Sequence, residues 1–426
     1  MTRHAKLFRG ASLLGGYLGI PLLNAFSPLL ALPAITHTAG AAAWAAVAIG
    51  QSLGGTAGVL VELGWGISGT QRVARQAKRN IAQTYVAGLL TQLMVALPAV
   101  LLAAIAAYLL APEQKPTAAL LAVSAGASFS AAWVFVGIAQ PRRILFQEAL
   151  PRTGAVVLSA VAIMAGAPLI TYAIALCIPV VVAPLLACRA LGVGRSDFRR
   201  LSFRRLMFLI RCQSKALTSR VFSSAYISFG ITAVTLVAPQ ATASYAAVDR
   251  LIRMAQRLIS ALHFVFKGWV GRATSRAERV RRAQRAVLLN AVTGAVAGAG
   301  FTVFAPLVAK VVFSGVVDIP IEYAAIAGGT LAVIFVSMSC GQVLLVALNR
   351  VGALAWSAVA GAVLGLPVIL IGAYLGGAMG GLVGQLCAEA IVLAVQLVVA
   401  VRAVRRFPSD PQPESSPVAE SETAPA

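Results

Sequence analysis

Apolar residues in this chain come in runs long enough to cross a bilayer, separated by short polar gaps, a pattern of membrane helices rather than of half-buried strands. A helix needs roughly 20 apolar residues to traverse the hydrocarbon core. Windows of that kind predict twelve spans, at 9–32, 41–69, 81–110, 118–139, 150–166, 169–190, 206–237, 243–267, 286–313, 323–348, 351–374 and 379–401. The fifth and sixth are parted only by a turn around Gly166 and Pro168. Pro21, Pro28 and Pro33 in the first predict a kinked helix beside a cavity, because proline removes a backbone donor and strains the turn before it. The expected fold class is an all-α membrane protein.

The gaps alternate in charge. RHAKLFR, QRVARQAKRN, QPRR, RALGVGRSDFRRLSFRR, KGWVGRATSRAERVRRAQR and VRAVRRF are basic, whereas the intervening gaps are nearly free of Lys and Arg, with Lys115 and Lys310 on or near that side. Basic loops stay on the cytoplasmic side of a membrane, so both termini are expected in the cytoplasm, which agrees with an even helix count. No gap exceeds about 20 residues, which leaves no room for a soluble catalytic domain. After Phe407 the sequence becomes PSDPQPESSPVAESETAPA, acidic and proline-rich without periodicity, and reads as a disordered tail. The expected division is a six-helix lobe at 1–200, a second at 201–406, and a tail at 407–426.

Composition agrees with the pattern. Of 426 residues 59% are hydrophobic and 11% charged, with a mean hydropathy of +0.86, whereas soluble domains carry about a quarter charged residues. The net charge of +22 resides in the gaps, which makes it a topology signal and not a nucleic-acid footprint. Cys177, Cys188, Cys212, Cys340 and Cys387 lie far apart with no paired His, so neither a disulfide framework nor a metal site is expected, and no cofactor. The first apolar run reaches about Leu32, too long for a signal peptide, and reads as a retained anchor.

Ionisable residues inside spans are the candidate functional groups, because each costs about 2.5 to 3.5 kcal/mol at mid-bilayer on insertion scales. They are Glu62, Arg220, Asp249, Arg250, Arg253, Arg257 and Glu389. Arg250, Arg253 and Arg257 follow i, i+3, i+7 spacing, which confines them to one arc of about 60° on the eighth helix. Asp249 stands four residues before Arg253 and is placed to pair with it. The seventh span carries Gln213, Arg220, Ser223, Ser224 and Ser228 along one stripe. Two such faces imply a wet, positive groove. Planar, permanently charged guanidiniums suit phosphate. Snorkelling to headgroups or pairing within the protein is the competing account of the same arginines. Glu62, Asp249 and Glu389 are candidates for ion coupling or for pairing between helices; His263 reads as a packing residue.

The chain also aligns to itself at an offset of 201, Trp44-Ala-Ala-Val on Tyr245-Ala-Ala-Val, as parallel halves do in some transporters. The stretch GAAAWAAVAIGQSLGGTAGVLVELGWGISGTQRVAR (Gly40 to Arg75) resembles the second helix and first cytoplasmic loop of bacterial polysaccharide flippases, the O-antigen and exopolysaccharide transporters of the multidrug/oligosaccharidyl-lipid/polysaccharide exporter superfamily. Trp133-Val-Phe-Val-Gly-Ile, Tyr245-Ala-Ala-Val-Asp-Arg-Leu-Ile-Arg, GQVLLVALNR (Gly341 to Arg350) and GGAMGGLVGQLCAE (Gly376 to Glu389) resemble later segments in the same order.

The resemblance implies about twelve transmembrane helices in two six-helix lobes around a central cavity, in a bacterial plasma (inner) membrane. It also implies a polyprenyl-diphosphate-linked oligosaccharide as cargo, moved outward for cell-surface polysaccharide biosynthesis. Arg220, Arg250, Arg253 and Arg257 would then bind substrate, and glycosyltransferases or a polymerase of that pathway would be partners, besides membrane lipids. Val136 and Ala139 stand where that family often has a glutamine and an acid. The alternative is a multidrug or small-molecule exporter of the same superfamily. An enzyme is not expected, because the outer acids Glu113, Asp318 and Glu322 lie in gaps of under ten residues.

Overall fold

A helix satisfies its backbone polar groups within one segment, as an apolar solvent requires, and every regular element among the described residues is helical. The computed structural model describes residues 3–405 apart from 128, 139, 200, 272, 274 and 349; the side chains of 3–30, 214–228, 258–265 and scattered single positions lie outside that description. Helix α1 (Arg3–Glu62) carries the first two spans, bent at Gly40, whose φ of 77° L side chains rarely adopt. It stops where Leu63 and Gly64 turn left-handed, and α2 (Trp65–Arg75) follows. The second expected span, 41–69, is therefore interrupted rather than continuous. Helix α3 (Ile81–Leu110) is the third span.

The fourth expected span is broken into α4 (Lys115–Gly126) and α5 (Ala132–Gly137). The fifth begins earlier than its apolar run: α6 (Pro141–Ile144) continues through a π turn, Leu145–Ala149, into α7 (Leu150–Met164). Glu148 and Arg152 consequently stand within one membrane helix, and 141–149 is not a loop. Next come α8 (Ile170–Leu191), α9 (Arg195–Arg199), α10 (Phe203–Val237), α11 (Thr242–Gly271), α12 (Arg276–Val312) and α13 (Ile321–Ser339). The last runs on into a second π turn, Cys340–Leu345. Helix α14 (Val351–Ala360) passes through a third, Gly361–Gly365, into α15 (Leu366–Arg405), which bends at Gly376 and Gly377 to separate the last two spans.

Seven stretches of described residues are long and apolar enough to cross a membrane. The other expected spans map to the first limb of α1, to the broken α4 and α5, and to α10 and α11. Burial sorts the helices by neighbour. Lys78–Leu110 has a mean hydropathy of 2.5 and is 22% buried, whereas Ala31–Glu62 has 1.4 and is 72% buried. Faces turned to lipid hold large apolar side chains such as the exposed Leu97, Leu102 and Leu109. Faces turned to protein hold small residues that let backbones approach. A Cβ at Gly50 or Gly54 would strike the backbone of α4 at Ala118 or Ala122.

The molecule is an all-α membrane protein of about twelve helices in two lobes around a central cavity. One core, containing Ile35, Trp44, Tyr172, Tyr245, Phe313 and Leu382, is shared by both lobes at the end away from the basic gaps. Toward the basic end the core divides. One part gathers Trp65, Tyr85, Trp133 and Phe135, the other Val270, Val280, Leu344 and Leu345. Among the described residues the lobes thus share one core at one end and keep separate clusters at the other. At the joint Trp44 Nε1 donates to Ala243 O at 3.1 Å, the Trp44 and Phe313 rings lie 5.4 Å apart, and Ser314 Oγ donates to Pro33 O at 3.4 Å. The tail beyond 405 lies outside the described residues.

Candidate functional site

Directly behind that joint lies a cavity of about 220 Å3 between the lobes. Helix α1 gives it Trp44, Ala48, Gln51 and Ser52; α10 gives Ile231; α11 gives Ala246, Asp249, Arg250, Arg253, Met254 and Arg257. The 3.6-residue period of α11 brings the three arginines to one wall, because steps of three and four residues return to the same face. Ser52 Oγ and Thr232 Oγ1 are 3.2 Å apart across the junction. Gln51 Nε2 donates to Tyr172 OH at 3.4 Å, which ties the α1 wall to α8.

Arg253 is held as a fork. Its Nε donates to Asp249 Oδ2 at 3.1 Å and an Nη to Asp249 Oδ1 at 2.9 Å. Asp249 is buried and also accepts from Gln385 Nε2 at 3.3 Å, and Gln385 Oε1 accepts from the Tyr245 hydroxyl at 3.1 Å. Glu389, one turn beyond Gln385 on α15, lies within electrostatic reach of Arg253 and Tyr245. Helix α15 therefore braces the charged face of α11, and a buried pair needs such extra hydrogen bonds to offset its desolvation. Arg250 lies within reach of Tyr172, and Arg257 is exposed at the mouth.

Of the residues expected from sequence, Asp249, Arg250, Arg253 and Arg257 gather here and Glu389 supports them from behind. Glu62 ends α1 beside the left-handed turn and does not line this cavity. The side chains of Arg220, Ser223, Ser224, Ser228 and His263 lie outside the described residues. Gln213, expected on the same stripe, is buried on α10. Sequence reasoning missed Gln385, Tyr245 and Tyr172, which lack charge and look like ordinary span residues. It also missed Glu148 and Arg152. Their signal was an i, i+4 acid–base pair, discounted because the apolar window starts only at Leu150. Among the described residues no group of three His, Cys, Asp or Glu is placed to hold a metal ion.

No family model and no curated protein matches the chain. Solved structures do. A multidrug resistance MATE family transporter of the MOP superfamily in an inward-facing conformation superposes with a TM-score of 0.60 at 14% identity, covering 91% of this chain and 96% of that one. A MATE structure in a bent conformation gives 0.55 at 15%, over 95% and 99%. The eukaryotic MATE transporter AtDTX14 gives 0.53 at 14%, over 94% and 99%. These likenesses extend over nearly the whole length of both partners. This chain has the fold of those transporters, a multi-pass membrane fold.

Proposed function

We propose that this chain is a membrane exporter that collects an anionic, amphipathic small molecule from the side of the basic loops and releases it on the other. The observation that carries this reading is the interlobe cavity, whose wall holds three guanidiniums against one carboxylate, itself bound to Arg253. An excess of positive charge in a low-dielectric cleft draws anions and repels organic cations. By the positive-inside rule the basic end is cytoplasmic. Among the described residues the lobes share a core on the far side and keep separate cores at the basic end, the arrangement an exporter loading from the basic side requires. Rocking of the lobes about the junction would then expose the cavity outward.

One of the fold neighbours is a multidrug resistance transporter, which favours a small-molecule cargo over a glycan. A cavity of about 220 Å3 is smaller than the 300 to 1,000 Å3 typical of drug-sized sites and suits one anionic head with its apolar body left between the lobes. The second reading is a flippase for a polyprenyl-diphosphate-linked oligosaccharide. It is favoured by the single-face spacing of Arg250, Arg253 and Arg257, which matches paired phosphates.

Deleting the gene in its host separates the two. Sensitivity to amphipathic anions that the intact gene reverses, with surface polysaccharide unchanged, supports the first. A lipid-linked oligosaccharide trapped on the cytoplasmic side supports the second. Sensitivity to organic cations alone would exclude both.

A further inference from the structure

The segment that joins the lobes, RALGVGRSDFRRLSFRR (Arg189 to Arg205), carries six arginines and one acid. It ends α8, forms α9 and opens α10. Its apolar residues divide between two directions. Leu191 and Val193, with Ile210 of α10, pack against the basic-end core of the N-terminal lobe, and α9 lies against α3. Leu206 is buried as well. Phe198, Phe203 and Phe208 are instead 43%, 67% and 64% exposed. Arg204 and Phe208 share the side of α10 opposite Leu206 and Ile210, because a step of four residues returns nearly to the same face. Arg195, Arg199 and Arg205 are exposed beside them.

These charges point outward without an acid to balance them nearby in sequence. Asp197, the one acid of the segment, accepts the Gly194 N–H at 2.9 Å within its own turn. Ser202 Oγ caps α10 by accepting the Arg205 N–H at 3.3 Å, yet the first turn holds Arg204 and Arg205 and no acid. Cations at that end oppose the helix dipole, and anions from outside the chain would offset them. Charge alone follows from topology, but exposed phenylalanine does not. The basic gaps at 70–80 and 268–285 present no large exposed apolar side chain among the described residues. Phe198 and Phe203 precede the apolar run of α10, and Phe208 lies just inside it. Rings at that level leave water by entering the zone between headgroups and acyl chains, where neighbouring arginines reach phosphates. A nucleic acid or an acidic protein would answer the arginines and leave the rings wet.

We propose that this linker is a docking surface for anionic phospholipid in the leaflet on the basic side. Its arginines engage the headgroup phosphates and its phenylalanines enter the upper acyl chains. Each arginine near such a surface favours anionic lipid about fivefold. Docking fixes the depth of the chain connection between the lobes.

Phe203→Trp in the full chain places a reporter on this surface, and the parent with its five tryptophans supplies the background. Nanodiscs of phosphatidylcholine and phosphatidylglycerol would carry bromine on the chains of one lipid or the other, at equal mole fraction. The reporter emission should be blue-shifted, and brominated phosphatidylglycerol should quench it about fivefold more efficiently than brominated phosphatidylcholine. That comparison alters no charge on the protein. The preference should fade in about 0.5 M salt, vanish in Arg199→Gln/Arg204→Gln/Arg205→Gln, and persist when the same three positions become lysine. Equal quenching by the two lipids overturns the anionic docking. Water-like emission quenched by neither lipid overturns it as well, and points to a soluble acidic partner. A preference that survives the three glutamine changes overturns the assignment to these arginines.

Discussion

The Arg253–Asp249 pair shows how one residue serves two tasks. The carboxylate fixes the guanidinium in a single geometry, so less side-chain entropy is lost when an anion arrives, and Gln385 and Tyr245 fix the carboxylate in turn. Removing the carboxylate leaves a partly buried cation and an orphaned amide. Asp249→Ala should lower stability by about 3 kcal/mol, read as a fall in melting temperature of the purified protein. Arg257 is exposed at the cavity mouth, and Arg257→Gln should weaken anion binding about tenfold, the loss of one charge-assisted contact. The α11 stripe was legible in the sequence because 3.6-residue periodicity is a local property. Glu148 and Arg152 were not. A hydropathy window starts at the first apolar run, whereas the helix starts nine residues earlier at Pro141 and passes through a π turn.

At the scale of elements, breaks in helices mark the working parts. Helix α1 bends at Gly40, α4 is severed from α5, and α15 bends at Gly376 and Gly377. Continuous helices were expected at the second and fourth spans because apolar runs report the length of a crossing and not its continuity. The first two spans, joined across Gly40, bring Trp44 against the other lobe, where it supplies both a hydrogen bond and a ring contact. Those contacts hold the two lobes together at this end. Trp44→Ala, which removes the latch and a buried indole worth roughly 3 kcal/mol or more, should shift the population toward an open outer side. Spin labels at Thr38 and Val316 should move apart and the distance distribution broaden. An unchanged distribution would show that the joint is held elsewhere.

For the whole molecule, a shared core at one end and two separate cores at the other are what the proposed loading from the basic side requires. Membrane class, helix count and basic loops were readable from composition and run length, because the bilayer imposes them on every segment. The division of the cores was not, since it depends on which distant side chains meet. Arg152 on one lobe lies within electrostatic reach of Arg250 and Arg257 on the other, and an anion between them would relieve the repulsion of like charges. A saturating dianion should therefore draw labels at Lys78 and Arg279 together by several ångströms, a shift that Arg152→Gln should remove.

The central claim, a carrier for anions in a multidrug-transporter fold, is tested most directly by uptake into inside-out membrane vesicles. Labelled naphthalene disulfonate and ethidium would be offered in parallel to vesicles bearing the parent protein or Arg250→Gln/Arg257→Gln. The account predicts that the anion accumulates with the parent, that uptake falls about tenfold or more in the double variant at equal abundance, and that ethidium stays at background. Accumulation of ethidium with no dependence on the two arginines would contradict it.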